Sequence, residues 1–202
     1  SVYTQKNRDK EIYSVGVLDI EKSQLPGIND SPWQTDTCIG NWFYDAKQTF
    51  KQPGHVIEML VDIISKNGTM LLNILQLPDG SIDEETRYLL NELAKWFQIC
   101  VEGVYGTRPF RTFGEGDTQT AWNSSDYRFV QKDGNLYAFV MKAPDNRVSV
   151  IKSLKPDETV NAVELLGYGP VAFAQNFGVL SIQLPETLPT QYTNCLKIKF
   201  KN

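Results

Sequence analysis

Two carboxylates close the first apolar segment of the chain, which reads LDIEK at residues 18–22. Residues 11–20 are rich in apolar and β-branched side chains, a pattern that predicts a strand buried on both faces of a parallel sheet. Barrel enzymes keep their reactive groups just beyond the carboxyl ends of such strands. Glu21 is therefore a candidate general acid or base, with Asp19, on the same face of the strand, as the local alternative. The non-functional interpretation is a solvated loop glutamate paired with Lys22.

The single histidine and the wide spacing of the cysteines leave carboxylates as the candidate acids and bases. The chain has one histidine, His55, whereas zinc sites and serine–histidine pairs both depend on imidazole. Its three cysteines are far apart and form no CxxC pair, so we expect buried thiols at Cys38, Cys100 and Cys195. The acidic run at residues 83–85 fits a helix start and does not fit a calcium loop. We therefore expect no metal and no cofactor, and a structural or exposed role for His55.

Length and composition exclude several classes of protein. With 202 residues, 41% of them hydrophobic, the chain can form a folded core, which excludes a disordered tail or linker. The formal net charge of -4 at pH 7 provides no bulk attraction to a phosphate backbone, so no nucleic-acid partner is expected. Because no run of about 18 apolar residues occurs, no membrane partner is expected either.

The elements that must position the candidate carboxylate alternate between strand and helix. From Pro53-Gly54 the pattern changes to helical spacing, with apolar residues recurring over 56–64, and Asn67-Gly68 predicts a left-handed stop. Residues 69–75 are predicted to form a second continuous apolar strand, buried on both faces like the first. Ser81 and Asp83 are candidate N-caps for a further helix with one apolar stripe. This order of elements is typical of a parallel sheet covered by helices.

Two domains follow from this pattern. An eight-fold barrel needs about 250 residues, so we predict that residues 1–107 are the C-terminal part of a (β/α)8-type (TIM-like) barrel. Further along, short strands are separated by turns, with a hairpin signal at residues 132–135. Residues 108–202 are therefore predicted to form a C-terminal antiparallel β-sandwich. The fold class is α/β followed by all-β.

Three runs within the first 110 residues carry a family resemblance. They are PWQTDTCIGNWFY at 32–44, LVDIISKNGTMLLNIL with the Pro-Asp-Gly turn that follows it, and GVYGTRPF at 103–110. In this order they resemble the signature of the α-L-fucosidases of glycoside hydrolase family 29. The resemblance covers about residues 1–112 by motif, and the β-rich remainder by architecture.

The resemblance implies a retaining glycosidase with two catalytic carboxylates. Glu21 lies where the family has its acid/base, whereas nothing in this sequence matches the surroundings of the nucleophile aspartate, which we expect upstream of this chain. Trp42 lies where the family has an aromatic ring against the deoxysugar methyl group. Arg8 resembles an arginine near the sugar, although the family often has Asn-Asp-Arg-Trp there; an exposed Arg8 paired with Asp9 is the alternative.

Other residues of these motifs have a structural and a functional interpretation. Trp33 is expected to pack at the barrel rim, and Gln34 replaces a glutamate that some family members carry. Asn73 and Gln76, at the end of the second strand, either line the pocket or pack within the strand.

The resemblance thus implies a retaining exo-α-L-fucosidase that acts on fucosylated glycans and is secreted or periplasmic. A further chain or segment is expected to supply the rest of the barrel. One alternative is a non-catalytic carbohydrate-binding β-sandwich with an α/β appendage, using a stacking face of Trp122, Tyr127, Tyr137 and Tyr168. Aromatic residues in β-domains are, however, more often core residues. Another is a barrel hydrolase of different sugar specificity.

Overall fold

The computed structural model describes residues 3–6, 16–116 and 121–201. The chain forms two compact units, and the division between them falls between Ala94 and Lys95. The domain boundary between residues 107 and 108 stays a prediction. Within the described ranges, no helix combines the length and the apolarity that a bilayer crossing requires.

The first unit contains a sheet of four parallel strands in the order β1-β2-β3-β4. The strands are β1 (Thr4–Gln5), β2 (Val17–Asp19), β3 (Trp33–Cys38) and β4 (Gly68–Asn73). A helix, α1 (Pro53–Ser65), connects β3 to β4, whereas β2 and β3 are joined by a loop alone. The strand β3 was not predicted from the sequence, because its residues alternate between buried and half-buried instead of forming an apolar run.

The helix α1 begins and ends as the sequence predicted. Pro53 occupies its first turn, where a missing N–H costs nothing. After the last turn, Asn67 has a φ of 69°, the left-handed conformation that ends the helix. The apolar face of α1 packs on the sheet, where Ile63 and Trp33 are fully buried in one cluster with Leu18 and Ile20.

The second helix, α2 (Glu84–Cys100), begins directly after Asp83, one of its two candidate N-caps. Oδ1 of Asp83 accepts a hydrogen bond from the backbone N–H of Thr86 at 2.8 Å, which satisfies one of the free donors of the first turn. Within the first unit, Leu89 of this helix packs with Ile39, Val56 and Leu75.

The two faces of the parallel sheet differ in polarity. Residues paired across neighbouring strands share a face, so Gln34 lies beside Thr69 and Asp36 beside Leu71. Leu71 is 56% exposed. The prediction that the strand at 69–75 is buried on both faces is therefore wrong: the helices cover one face, and the face with Asp36 and Leu71 is open in the described structure.

The second unit is antiparallel, with a six-stranded sheet in the order β10-β9-β13-β7-β6-β5 and a three-stranded sheet in the order β11-β12-β8. A short 3-10 helix, Val101–Gly103, precedes the strands. The strands are β5 (Arg108–Glu115), β6 (Tyr127–Lys132), β7 (Asn135–Val140), β8 (Val148–Ile151), β9 (Val160–Leu165), β10 (Gly169–Pro170), β11 (Phe173–Asn176), β12 (Val179–Gln183) and β13 (Asn194–Phe200). The predicted hairpin lies between β6 and β7, where Asp133 and Gly134 both have positive φ.

The aromatic residues proposed as a sugar-stacking face do not assemble into one. Tyr127 and Tyr137 are buried at 0% and 1% exposure, as core residues of the second unit. The ring of Trp122 stacks against the guanidinium of Arg128, 4.9 Å from its centroid. Of the four, Tyr168 is the exposed one. The alternative of a sugar-stacking face is therefore not supported, and the core role of such aromatic residues is confirmed for Tyr127 and Tyr137.

Candidate active site

Three charged side chains meet near the carboxyl ends of neighbouring parallel strands. Lys6 directly follows β1, Glu21 lies two residues beyond β2, and Asp36 lies within β3. Because parallel strands present their carboxyl ends at one edge of a sheet, residues distant in sequence come together there. Lys6 Nζ forms ion pairs with Glu21 Oε2 at 2.9 Å and with Asp36 Oδ2 at 3.1 Å.

The backbone around Glu21 is fixed on both sides. The N–H of Ile20 donates to the carbonyl of Gln34 at 2.9 Å, and the N–H of Lys22 donates to the carbonyl of Asp36 at 2.8 Å. Lys22 has a φ of 48°, in the left-handed region, so the chain turns immediately after Glu21. The Glu21 side chain itself remains 49% exposed. It is thus anchored at its backbone and accessible at its carboxyl group.

Both carboxylate oxygens of Glu21 accept hydrogen bonds. Nε1 of Trp42 donates to Oε1 at 3.0 Å, and Nζ of Lys6 donates to Oε2. The ammonium group of Lys22 lies over the Trp42 ring, 4.7 Å from its centroid. Glu21 therefore contacts Lys6 and Trp42, and the partner expected in the non-functional interpretation, Lys22, contacts the ring instead.

These neighbours favour the ionised form of Glu21. The hydrogen bond from Lys6 is the main cause that lowers the pKa of Glu21 below its usual range, and the hydrogen bond from Trp42 and the charge of Lys22 act in the same direction. In turn, Glu21 and then Asp36 raise the pKa of Lys6 above its usual range. In this arrangement Glu21 is a carboxylate and Lys6 an ammonium ion.

An open cavity of about 510 Å³ lies beside this group of charges. It is lined by Asp36, Thr37, Trp42, Phe43, Leu71 and Asn73. Phe43 is 85% exposed, and Nδ2 of Asn73 donates to the carbonyl of Trp42 at 3.2 Å, which ties the loop that carries both aromatic rings to β4. The cavity can therefore offer apolar surface to a ligand close to the carboxylate of Glu21.

Of the residues singled out from the sequence, the structure brings Glu21 and Trp42 into direct contact. Arg8 lies outside the described residues. Asp19 is 7% exposed and accepts a hydrogen bond from Nε2 of Gln34 at 3.3 Å, so it is far less accessible than Glu21. Trp33 is fully buried and donates to the carbonyl of Lys66 at 2.8 Å, as a packing residue does.

Three further side chains were singled out from the sequence: Asn73, Gln76 and His55. Asn73 lines the cavity, whereas Gln76 is exposed and is not among the lining residues. His55 is exposed, with Nδ1 3.9 Å from Glu58 Oε2. Among the described residues, no group of three or more His, Cys, Asp or Glu side chains could hold a metal ion.

Sequence reasoning missed Lys6 and Asp36. Lys6 follows a strand of two residues, which is too short to produce a periodic signal. Asp36 lies in β3, where Trp33, Thr35 and Thr37 are buried and the residues between them are not. That alternation was the available signal, because it indicates a strand with Asp36 on the open face.

Two family models match the chain. The model described as Alpha-L-fucosidase matches residues 2–102, and the model described as Alpha-L-fucosidase C-terminal domain matches residues 118–199. Among curated proteins, the tissue alpha-L-fucosidase of Mus musculus is 28% identical over 177 residues, which are 84% of this chain and 38% of the mouse protein. The chain thus spans 38% of the length of this relative.

Solved structures confirm the fold class. Alpha-L-fucosidase isoenzyme 1 from Paenibacillus thiaminolyticus superposes with a TM-score of 0.78 at 22% identity, over 96% of this chain and 47% of that one. A structure described as a trapped covalent intermediate of a GH29 alpha-L-fucosidase from Bacteroides thetaiotaomicron has a TM-score of 0.75 at 17% identity, over 92% of this chain and 43% of that one. The described units have the fold of the C-terminal part of a TIM barrel followed by an antiparallel β domain.

Proposed function

Because this chain belongs to the α-L-fucosidase family, we propose that it carries the acid/base half of the active site of a retaining exo-α-L-fucosidase, with Glu21 as the acid/base. The observation that carries this proposal is the placement of Glu21. It follows a parallel strand, its backbone is held on both sides, and Trp42, which lines the adjacent cavity, donates to its carboxylate.

In this mechanism Glu21 acts twice. It first donates its proton to the glycosidic oxygen of the departing group, while a second carboxylate attacks the sugar to form a covalent fucosyl-enzyme intermediate. It then removes a proton from water as the water oxygen attacks that intermediate, which restores the protonated Glu21. The trapped covalent intermediate described for the Bacteroides thetaiotaomicron enzyme supports this two-step route.

The second carboxylate is an aspartate that we assign to a further segment or chain upstream of Ser1. The coverage of the relatives supports this assignment, since this chain spans 38% of the mouse protein and 47% of the Paenibacillus structure. A retaining glycosidase needs its two carboxyl groups about 5–5.5 Å apart. The open face of the sheet, with Asp36 and the exposed Leu71, is the surface that such a segment would cover.

The second carboxylate also accounts for the acid role of Glu21. The lowered pKa of Glu21 suits the base step, in which the carboxylate takes a proton from water. For the acid step Glu21 must be protonated, and a like charge nearby raises a carboxyl pKa. The nucleophile, negatively charged until it attacks the sugar, provides that charge at the stage where a protonated Glu21 is needed.

The substrate that we propose is a terminal α-L-fucosyl group on a glycan. The apolar ring of Trp42 in the cavity suits the methyl group of a 6-deoxy sugar and disfavours a sugar with a hydroxyl group at that position. Arg8 is proposed to bind a sugar hydroxyl or orient the nucleophile. We propose a secreted or periplasmic location, where fucosylated glycans are accessible.

The test is the rate on aryl fucosides in the whole natural protein, with and without Glu21→Gln. We expect the wild-type protein to cleave aryl α-L-fucosides in preference to galactosides. On a substrate with a poor leaving group, Glu21→Gln should reduce kcat/KM at least about 100-fold. On a substrate with a highly acidic leaving group, which needs no protonation, kcat/KM should fall much less. Glu85→Gln, an exposed glutamate in the first turn of α2, is the matched control.

Azide provides the second readout. On the substrate with the highly acidic leaving group, Glu21→Gln should still form the fucosyl-enzyme, whose breakdown by water then lacks a base. Since azide needs no base to activate it, azide should restore kcat on this substrate and give a fucosyl azide with the anomeric configuration of the substrate. Unchanged hydrolysis of poor leaving groups by Glu21→Gln would overturn the assignment. So would a preference for galactosides over fucosides.

A further inference from the structure

We propose that Lys6 and Asp36 form a positioning pair for Glu21, in which the ammonium group of Lys6 is held by Asp36 throughout the reaction and engages Glu21 whenever Glu21 is ionised. This inference rests on the proposed role of Glu21 as the acid/base. It assigns a function to two residues that the proposed mechanism otherwise leaves unused.

The geometry places one ammonium group between two carboxylates. Lys6 Nζ is 2.9 Å from Glu21 Oε2 and 3.1 Å from Asp36 Oδ2. An ammonium group has three donors, so both contacts can be made at once. Lys6 follows β1 and Asp36 lies in β3, which are the two neighbours of β2, the strand that leads to Glu21. The pair therefore flanks the candidate acid/base from both sides.

Asp36 is the better-shielded of the two carboxylates. Its side chain is 19% exposed, compared with 49% for Glu21. Its second oxygen, Oδ1, is enclosed and accepts no hydrogen bond from the residues that the structure describes. The negative charge of Asp36 thus depends on Lys6 for compensation, which gives the ammonium group a permanent anchor next to Glu21.

The two oxygens of Glu21 have different partners, which determines what happens when Glu21 carries its proton. Trp42 donates to Oε1, so the position that Lys6 occupies, Oε2, is the one that a transferable proton can take. When Oε2 carries the proton, the ammonium group of Lys6 no longer has its acceptor on Glu21 and keeps its acceptor on Asp36. When that proton passes to the leaving oxygen, Oε2 becomes an acceptor again and the contact with Lys6 re-forms. Lys6 keeps its three protons throughout.

The charged groups around Glu21 determine the direction in which each substitution should shift the pKa of Glu21. Lys6 from the end of β1 and Lys22 from the loop after β2 favour its ionised form. Asp36 from β3 carries a like charge, which opposes the ionised form of Glu21, and it shares the ammonium group of Lys6 with Glu21. Asp19 in β2 is hydrogen-bonded by Gln34, and the loop after β3 contacts Glu21 through Trp42, which is neutral. Removal of Lys6 should therefore raise the pKa of Glu21, and removal of the Asp36 charge should lower it.

The test is the pH dependence of kcat/KM in the whole natural protein. The acid step needs protonated Glu21, so activity on a poor leaving group falls as pH rises through the pKa of Glu21. Lys6→Met should move this basic limb to higher pH, and Asp36→Asn should move it to lower pH, each by about 0.3 to 0.7 of a pH unit for an exposed pair. Lys6→Arg, which keeps the charge, should leave the limb near its wild-type position.

The fall of kcat/KM at high pH must first be assigned to the deprotonation of Glu21. A substrate with a highly acidic leaving group makes this assignment, because its cleavage needs no general acid and should not show the fall. Lys47→Met, an exposed lysine in the loop of Trp42, is the matched control and should leave the limb in place. Two folded variants that lower kcat with no shift of the limb, or that shift it in the same direction, would overturn the positioning role. If Glu21→Gln retains activity on poor leaving groups, the proposed function itself fails, which is a different result.

Discussion

The indole Nε1 of Trp42 donates a hydrogen bond to Oε1 of Glu21 at 3.0 Å. This contact joins the loop after β3 to the end of β2, and Trp42 also lines the adjacent cavity. One tryptophan thus has two separable functions, because its N–H orients a carboxylate while its ring offers apolar surface.

Substitution can separate these two functions. Trp42→Phe keeps a ring and removes the N–H, so we expect kcat to fall about 5- to 10-fold, the value of one hydrogen bond, with little change in KM. Trp42→Ala removes the ring as well and should raise KM in addition. Steady-state kinetics on an aryl fucoside with the whole protein checks both. Equal losses in the two variants would contradict a separate role for the N–H.

Packing around Gly68 should make the first unit sensitive to one methyl group. A Cβ at Gly68 would lie 2.6 Å from Cε2 of Trp33 and 2.7 Å from Cγ2 of Ile63, both of which are fully buried. Gly68→Ala should therefore lower the free energy of unfolding by about 1–3 kcal/mol. Gly27→Ala, where a Cβ meets nothing within 4 Å, is the control. Urea denaturation compares the two, and equal midpoints would contradict the close packing.

Local signals in the sequence were sufficient for the helices and for the hairpin. Asp83 caps α2, Asn67 ends α1, and Asp133-Gly134 turns between β6 and β7, because each depends on a residue type that one conformation requires. The strand β3 was missed since it has no apolar run, although the alternation of its residues was an available signal for a strand with one open face.

The hydroxyl group of Tyr127 makes a testable contribution to the second unit. It lies 2.8 Å from Oγ of Ser149 and accepts a hydrogen bond from the N–H of Val150 at 2.9 Å. Tyr127→Phe leaves these buried groups without that partner and should cost about 1–3 kcal/mol of unfolding free energy. Tyr168→Phe, at an exposed position, should cost close to nothing. Thermal denaturation measures both, and similar losses would contradict the assignment.

Glu102 should make the stability of the second unit depend on pH. Its carboxylate accepts hydrogen bonds from Lys197 and, at 2.8 Å, from the hydroxyl of Tyr137; the contact with Lys197 is the main cause that lowers the pKa of Glu102. A lowered pKa stabilises the folded state above the unfolded-state pKa, and this contribution is lost as pH falls through the folded-state pKa.

The measurement is the denaturation midpoint of wild type and Glu102→Gln at neutral and at strongly acidic pH. The wild type should be more stable at neutral pH by less than about 1 kcal/mol, since the pair is partly exposed, and the difference should shrink on acidification. Glu186→Gln, an exposed glutamate of the same unit, should show no such trend. A difference that grows on acidification would contradict the sign.

The three cysteines should be unreactive in the folded protein. All three are buried at 0% exposure, and burial raises the pKa of Cys100 to about 12. Ellman's reagent at mildly alkaline pH should therefore detect no thiol until the protein is denatured, and then three. Rapid labelling of the native protein would contradict the described burial.

The candidate site was only partly predictable for a physical reason. Glu21 and Trp42 lie in segments with strong local signals, a strand end and a tryptophan-rich motif. Lys6 and Asp36 acquire their role through contacts across 15 and 30 sequence positions with Lys6 as the common partner, which no local pattern reports. Such a group becomes visible only when the order of the parallel strands is known.

The two backbone hydrogen bonds that flank Glu21 have a consequence for the timing of the reaction. The backbone of Ile20 and Lys22 is hydrogen-bonded to β3, so no loop movement is needed to place the carboxyl group of Glu21. Its position changes only by side-chain rotation, on a picosecond to nanosecond scale. Loop motion should then not limit the proton transfers proposed for Glu21, and thickening the solvent with an inert viscogen should leave these steps untouched.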